Sequence, residues 1–139
     1  PLLFHALYGV YISLTSSVTV KRYRYFRNWC YVLQRIAGIV TLLFVIWHIY
    51  GTKLQVELTG VDPSYAMVAG IVATPIGLTL FAIGLLCSIY HFCNGLWTFL
   101  ITWGITVSPR SQKISGYVLF ALFIAFAAFG LKALSAFAG

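Results

Sequence analysis

Long apolar runs, separated by short polar or basic stretches, set the pattern of this chain. Four such runs cover residues 1–17, 29–50, 71–107 and 114 to the C-terminus. A helix needs roughly 20 apolar residues to cross a bilayer, so the pattern predicts four transmembrane helices. The third run is long enough to tilt or to project beyond the hydrocarbon. In lipid the backbone must satisfy itself within helices or a closed barrel, and no run shows the two-residue alternation of a barrel strand. The expected fold class is all-α, a transmembrane helical bundle forming one domain over residues 1–139. The chain opens already apolar at Pro1, without a basic segment and a small-residue cleavage site, so a signal peptide is not expected. A further segment upstream is expected instead.

Composition agrees with the pattern. The chain is 61% hydrophobic and 8% charged, too little polar cover for a water-soluble domain of this size. Its charges are unevenly placed. Lys21, Arg22, Arg24 and Arg27 crowd the first connection, and Arg110 and Lys113 the third, whereas both acids, Glu57 and Asp62, fall in the second beside Lys53. The positive-inside rule puts the first and third connections in the cytoplasm and the second outside. The net charge of +7 is then an orientation signal. Nucleic-acid binding would require a basic face on a soluble domain and is not expected.

The three histidines, His5, His48 and His91, all lie inside apolar runs. An ionisable group in the membrane marks function by default, and a neutral imidazole is a standard axial ligand of haem iron. At about 1.5 Å per residue, His5 and His91 both fall roughly 20 Å from the inner surface, and His48 about 30 Å. Two histidines at one depth on different helices can grip one iron, as helical bundles do from facing helices. Gly9 and Gly95 each follow their histidine by four residues, on the same face. Gly70, Gly77 and Gly84 continue at intervals of seven above His91. Such glycines either open room for a flat macrocycle or let helices approach closely. His48 has no partner at its depth, and reads as an interfacial histidine or as one ligand of a second, outer haem. Arg35 and Lys132, inside the second and fourth runs, can snorkel to a surface or pair with haem propionates.

No catalytic set competes. Both carboxylates sit in one connection, so the bundle has no acid pair for proton transfer, and no glycine-rich phosphate loop follows a strand. Cys30, Cys87 and Cys93 lack metal-ligand spacing and read as small buried thiols.

Five strings carry a family resemblance. They are His5-Ala-Leu-Tyr-Gly-Val-Tyr, Arg27-Asn-Trp-Cys-Tyr-Val-Leu-Gln-Arg-Ile-Ala-Gly, Trp47-His48, His91-Phe-Cys-Asn-Gly-Leu-Trp, and Thr102-Trp-Gly-Ile-Thr-Val-Ser-Pro-Arg-Ser-Gln. Together they resemble the diheme cytochrome b membrane anchor of succinate dehydrogenase, of the single-polypeptide, five-helix type found in Gram-positive bacteria. The resemblance makes this chain helices two to five of that anchor, with the first absent. It implies haem b held by His5 and His91 on the inner side, and a second haem held by His48 and a histidine of the absent helix. It further implies a bacterial plasma membrane protein of respiratory complex II. Flavoprotein and iron–sulfur subunits would dock on its cytoplasmic face, and electrons from succinate would pass to menaquinone. No succinate oxidation is expected of this chain alone. A fumarate reductase anchor run in reverse is the main rival reading, and a haem-free scaffold or carrier a more distant one.

Overall fold

The computed structural model describes residues 1–62 and 64–138. All regular structure among them is helical: α1 (Leu2–Thr15), α2 (Phe26–Ile49), a π-helical turn (Tyr50–Leu54), α3 (Gln55–Thr59), α4 (Tyr65–Val72), α5 (Pro75–Thr102) and α6 (Pro109–Ala138). Three helical stretches are long and apolar enough to cross a membrane, Phe26–Thr59, Pro75–Thr102 and Pro109–Phe137. The first expected span is a 14-residue helix, about 21 Å long against a hydrocarbon core of about 30 Å. The all-α membrane bundle expected from the pattern is thus present, as three long helices and a shorter one.

Its boundaries differ from the apolar runs in three informative ways. The second helix does not stop at Tyr50. A π-helical turn carries it on to Thr59, with Gly60 closing it at φ 69°, so Lys53 and Glu57 sit on helix rather than in a loop. The third run is broken. Residues Ile71 and Val72 end α4, and Pro75 starts α5 with Thr74 as its N-cap, the Thr74 hydroxyl accepting from the Gly77 amide at 3.0 Å. Proline suits the first helical position because its missing N–H would be unpaired there anyway. The expected glycine stripe is split by that break: Gly77 and Gly84 are buried on α5, while Gly70 stands on α4 with open space around it. Finally, α6 begins at Pro109, five residues before the apolar run, because Ser108 caps it. The Ser111 amide donates to Ser108 Oγ at 3.1 Å, one of the orphan donors of a helix start.

The bundle is built on α2, α5 and α6, with α5 packed against both others. Its interior is small, holding Cys30, Ala37, Val72, Cys93, Leu119, Ala127 and Leu134, while Leu2, Leu3, Leu14, Ile76, Phe129 and many others are largely exposed. That distribution suits a lipid solvent, where helices associate through small residues and close packing rather than by removing oil from water. Gly84 shows the effect, since a side chain there would collide with the Phe44 ring. The short α1 buries no residue and rests on α2 alone. Cys30 and Cys93 are buried free thiols, as expected, whereas the free thiol of Cys87 is only half-buried.

Candidate functional site

His5 and His91 approach one another at the side of the bundle, with His5 exposed on α1 and His91 half-buried on α5. Their ring centres are 6.1 Å apart and their planes cross at 78°, although α1 and α5 make no close backbone approach among the described residues. The sequence had placed both histidines at one depth, and the fold also turns them toward each other.

His91 is held by α2. Its Nδ1 lies 3.2 Å from the Gln34 carbonyl oxygen. A carbonyl only accepts, so Nδ1 is the protonated nitrogen and Nε2 keeps its lone pair. The Gln34 side chain completes the grip: its Nε2 donates to the His91 carbonyl at 2.9 Å, and its Oε1 accepts from Asn94 Nδ2 at 2.9 Å. Asn94 is 8% exposed, the one buried polar residue among the described residues, and these bonds satisfy groups that would otherwise be costly in hydrocarbon. The ring itself lies on Gly38, where an added Cβ would come within 2.8 Å of His91 Cε1. Backbone carbonyls commonly fix a metal-binding histidine through its other nitrogen, setting tautomer and ring orientation.

Sequence reasoning missed Gln34, Asn94 and Gly38. The signal was available in part, since Asn94 is one helical turn from His91 and Gln34 is a neutral amide inside an apolar helix. The two His-xxx-Gly pairs proved unequal. Gly95 lies under Gln34, its ideal Cβ 3.0 Å from Gln34 Nε2, whereas Gly9 has open space around it.

His48 occupies a second level, ten residues beyond Gly38 on α2, or about 15 Å along the helix. Its ring stacks on Phe44 (5.8 Å between centres, 23°) and meets the edge of Phe81 on α5 (5.5 Å, 81°). Nδ1 is buried and has no hydrogen-bond partner. The π-helical turn starts two residues later, with Thr52 Oγ1 donating to the His48 carbonyl at 2.5 Å. Single π turns inside α-helices often mark functional sites. Lys132 is exposed near the far end of α6, its carbonyl accepting from Ser135 Oγ. No contact among the described residues ties it to His48.

Arg35 does not simply reach for the surface. Its Nη2 donates to the Ser16 carbonyl at the end of α1 at 3.2 Å, and its guanidinium lies over the Tyr31 ring at 5.4 Å. The Tyr31 hydroxyl shares a 2.9 Å hydrogen bond with Ser16 Oγ. Arg35 Nη1 is buried and unpartnered. The same end of the bundle carries the basic first and third connections, and both carboxylates lie at the opposite end.

A helical membrane bundle with two facing imidazoles and a third at a separate level is the class of protein that fold and site define. Residues 13–130 match the family described as succinate dehydrogenase/fumarate reductase transmembrane subunit, and the chain belongs to that family. It is 48% identical, over 137 residues, to the succinate dehydrogenase cytochrome b558 subunit of Bacillus subtilis (strain 168). The match covers 99% of this chain and 67% of that relative, so the chain spans about two-thirds of the relative's length. No solved structure matches the chain. It is therefore a membrane subunit of an oxidoreductase complex.

Proposed function

We propose that this chain is the haem-b-binding anchor of a succinate dehydrogenase, joining flavoprotein and iron–sulfur subunits to the membrane and delivering electrons to menaquinone. The observation that carries the reading is the His5–His91 pair. Two imidazoles sharing one metal, at about 2 Å per metal–nitrogen bond, need ring centres about 6 Å apart, and these stand at 6.1 Å. The lone pair left on His91 Nε2 and the exposed His5 ring on α1 fit a haem on that pair. Haem iron, when bound, supplies one-electron redox chemistry.

His48 is the proposed ligand of a second, outer haem, supported by its buried and unpartnered Nδ1. The other ligand of that haem is not among the residues of this sequence, which has three histidines. Arg35, with a buried and unpaired Nη1, is the proposed cation for the inner propionates. Lys132, on the last turns of α6, is the proposed one for the outer level. The basic end, with Lys21, Arg22, Arg24, Arg27, Arg110 and Lys113, faces the cytoplasm of a bacterial cell and receives the partner subunits. Succinate oxidation is preferred over fumarate reduction because the relative is named for it. Gln34 and Gly38 fix the His91 ring, and orientation of a ligand is one of the levers a protein has over a bound cofactor.

The test is a reduced-minus-oxidised visible spectrum of the intact complex. His91→Ala is expected to remove one b-type haem signal while the subunit stays inserted. An unaltered signal overturns the ligand assignment.

A further inference from the structure

A cleft of about 770 Å³ opens between α2, α5 and α6 at the basic end of the bundle. Its lining includes Trp97, Tyr117, Phe120 and Phe123, with Arg27 on the α2 side and Lys113 on the α6 side. None of the three histidines lines it, although Asn94, which bonds Gln34 beside His91, stands on its wall. We propose that this cleft binds one anionic phospholipid, with an acyl chain in the aromatic trough and the phosphate between Arg27 and Lys113.

The cations are placed for such a ligand. The Arg27 guanidinium lies over the Trp97 ring at 5.6 Å, and its Nη1 donates to Gln112 Oε1 at 3.3 Å. Trp97 Nε1 in turn donates to the Gln112 carbonyl at 2.9 Å. Arg27 is thereby ordered without its charge being neutralised. Lys113 stands 5.8 Å over the Tyr117 ring, also a neutral partner. Both carboxylates of the chain lie at the far end of the bundle, so no acid of its own competes for these two cations. Guanidinium and ammonium groups bind phosphate by charge-assisted hydrogen bonds. The trough selects the other half of the ligand. An apolar cavity stays dry, and a void forfeits the dispersion contacts of its walls, so an acyl chain is the natural filler within hydrocarbon. Basic pockets between membrane helices on the cytoplasmic side bind anionic lipid head groups in the same way. The inference uses the proposed sidedness only to choose the inner leaflet; recognition of the phosphate does not depend on it.

The experiment is native mass spectrometry of the intact detergent-solubilised complex, offered phosphatidylglycerol and phosphatidylcholine with matched acyl chains. Preferential retention of phosphatidylglycerol is expected. With about 1 kcal/mol per cation near the surface, removing one charge lowers that preference about fivefold and removing both about 30-fold. The R27Q/K113Q pair is therefore expected to erase it, and the charge-conserving R27K/K113R exchange to keep it. Haem spectra of each variant verify that the bundle is intact. Equal retention of the two lipids, or a preference unchanged in R27Q/K113Q, overturns the proposal. So does retention of a quinone in the cleft that phosphatidylglycerol does not displace.

Discussion

Gln34 and His91 grip one another twice across the α2–α5 interface: the Gln34 carbonyl faces His91 Nδ1 at 3.2 Å, and the Gln34 amide donates to the His91 carbonyl at 2.9 Å. The first contact belongs to the backbone and survives any substitution at 34. The second, with the bond from Asn94, belongs to the side chain. Gln34→Leu is thus expected to keep the ring tautomer while stranding the buried Asn94 donor. A stability loss of about 1–3 kcal/mol follows from an unsatisfied buried group. Thermal unfolding of the purified complex measures it, and a melting profile equal to the parent's would refute the importance of the clamp.

Gly38 and Gly9 give a paired test of crowding. A methyl group at 38 has no room beside His91 Cε1, while one at 9 meets nothing within 4 Å. Gly38→Ala should displace the His91 ring and weaken or abolish the inner haem signal. Gly9→Ala should leave the spectrum unchanged. Equal spectra for the two variants would contradict the geometry.

His48 tests the second level. As a mere packing residue between Phe44 and Phe81, it could be replaced by leucine at little cost, because removing a buried polar group of similar shape is close to neutral. As a ligand, it could not. His48→Leu is expected to fold and insert while losing one haem band, with the inner band intact. A full complement of haem in this variant would remove His48 from the site.

Arg35 ties the end of α1 to α2 through the Ser16 carbonyl. Since α1 otherwise rests on α2 with no buried residue, this tie helps hold His5 in place. Arg35→Ala should cost about 1.5–3 kcal/mol, the range for a hydrogen bond to a charged group. It should also broaden the inner haem signal; Arg35→Lys should recover part of both. An unchanged melting temperature and spectrum in Arg35→Ala would show that the tie is dispensable.

Sidedness is tested by thiol labelling. Thr19 and Asp62 are exposed at opposite ends, and the native Cys30 and Cys93 are buried. With an impermeant reagent applied to intact cells, T19C is expected to stay unmodified and D62C to react. The reverse pattern would invert the topology.

How much was legible beforehand follows from what lipid makes visible. Residue counts fixed depth, so His5 and His91 could be matched in level and His48 set apart. Start signals were present in the residues themselves, yet the long apolar run concealed the break at Thr74–Pro75, and Gly70 was assigned to a stripe it does not join. Gln34 and Asn94 escaped notice because, as neutral amides, they disturb an apolar run less than a histidine does.

The linear order of residues was sufficient for the all-helical membrane class, the basic and acidic ends, and the levels of the three imidazoles, because hydrophobic length and rise per residue are local properties. The tertiary structure decided which side chains come together: His5 beside His91, Gly38 beneath the His91 ring, Gln34 between helices, and the cleft beside Arg27 and Lys113. Helices apolar on every side carry no stripe to say which side is interior. In a solvent as oily as the core, that choice is made by close packing and by the few polar groups that must find one another.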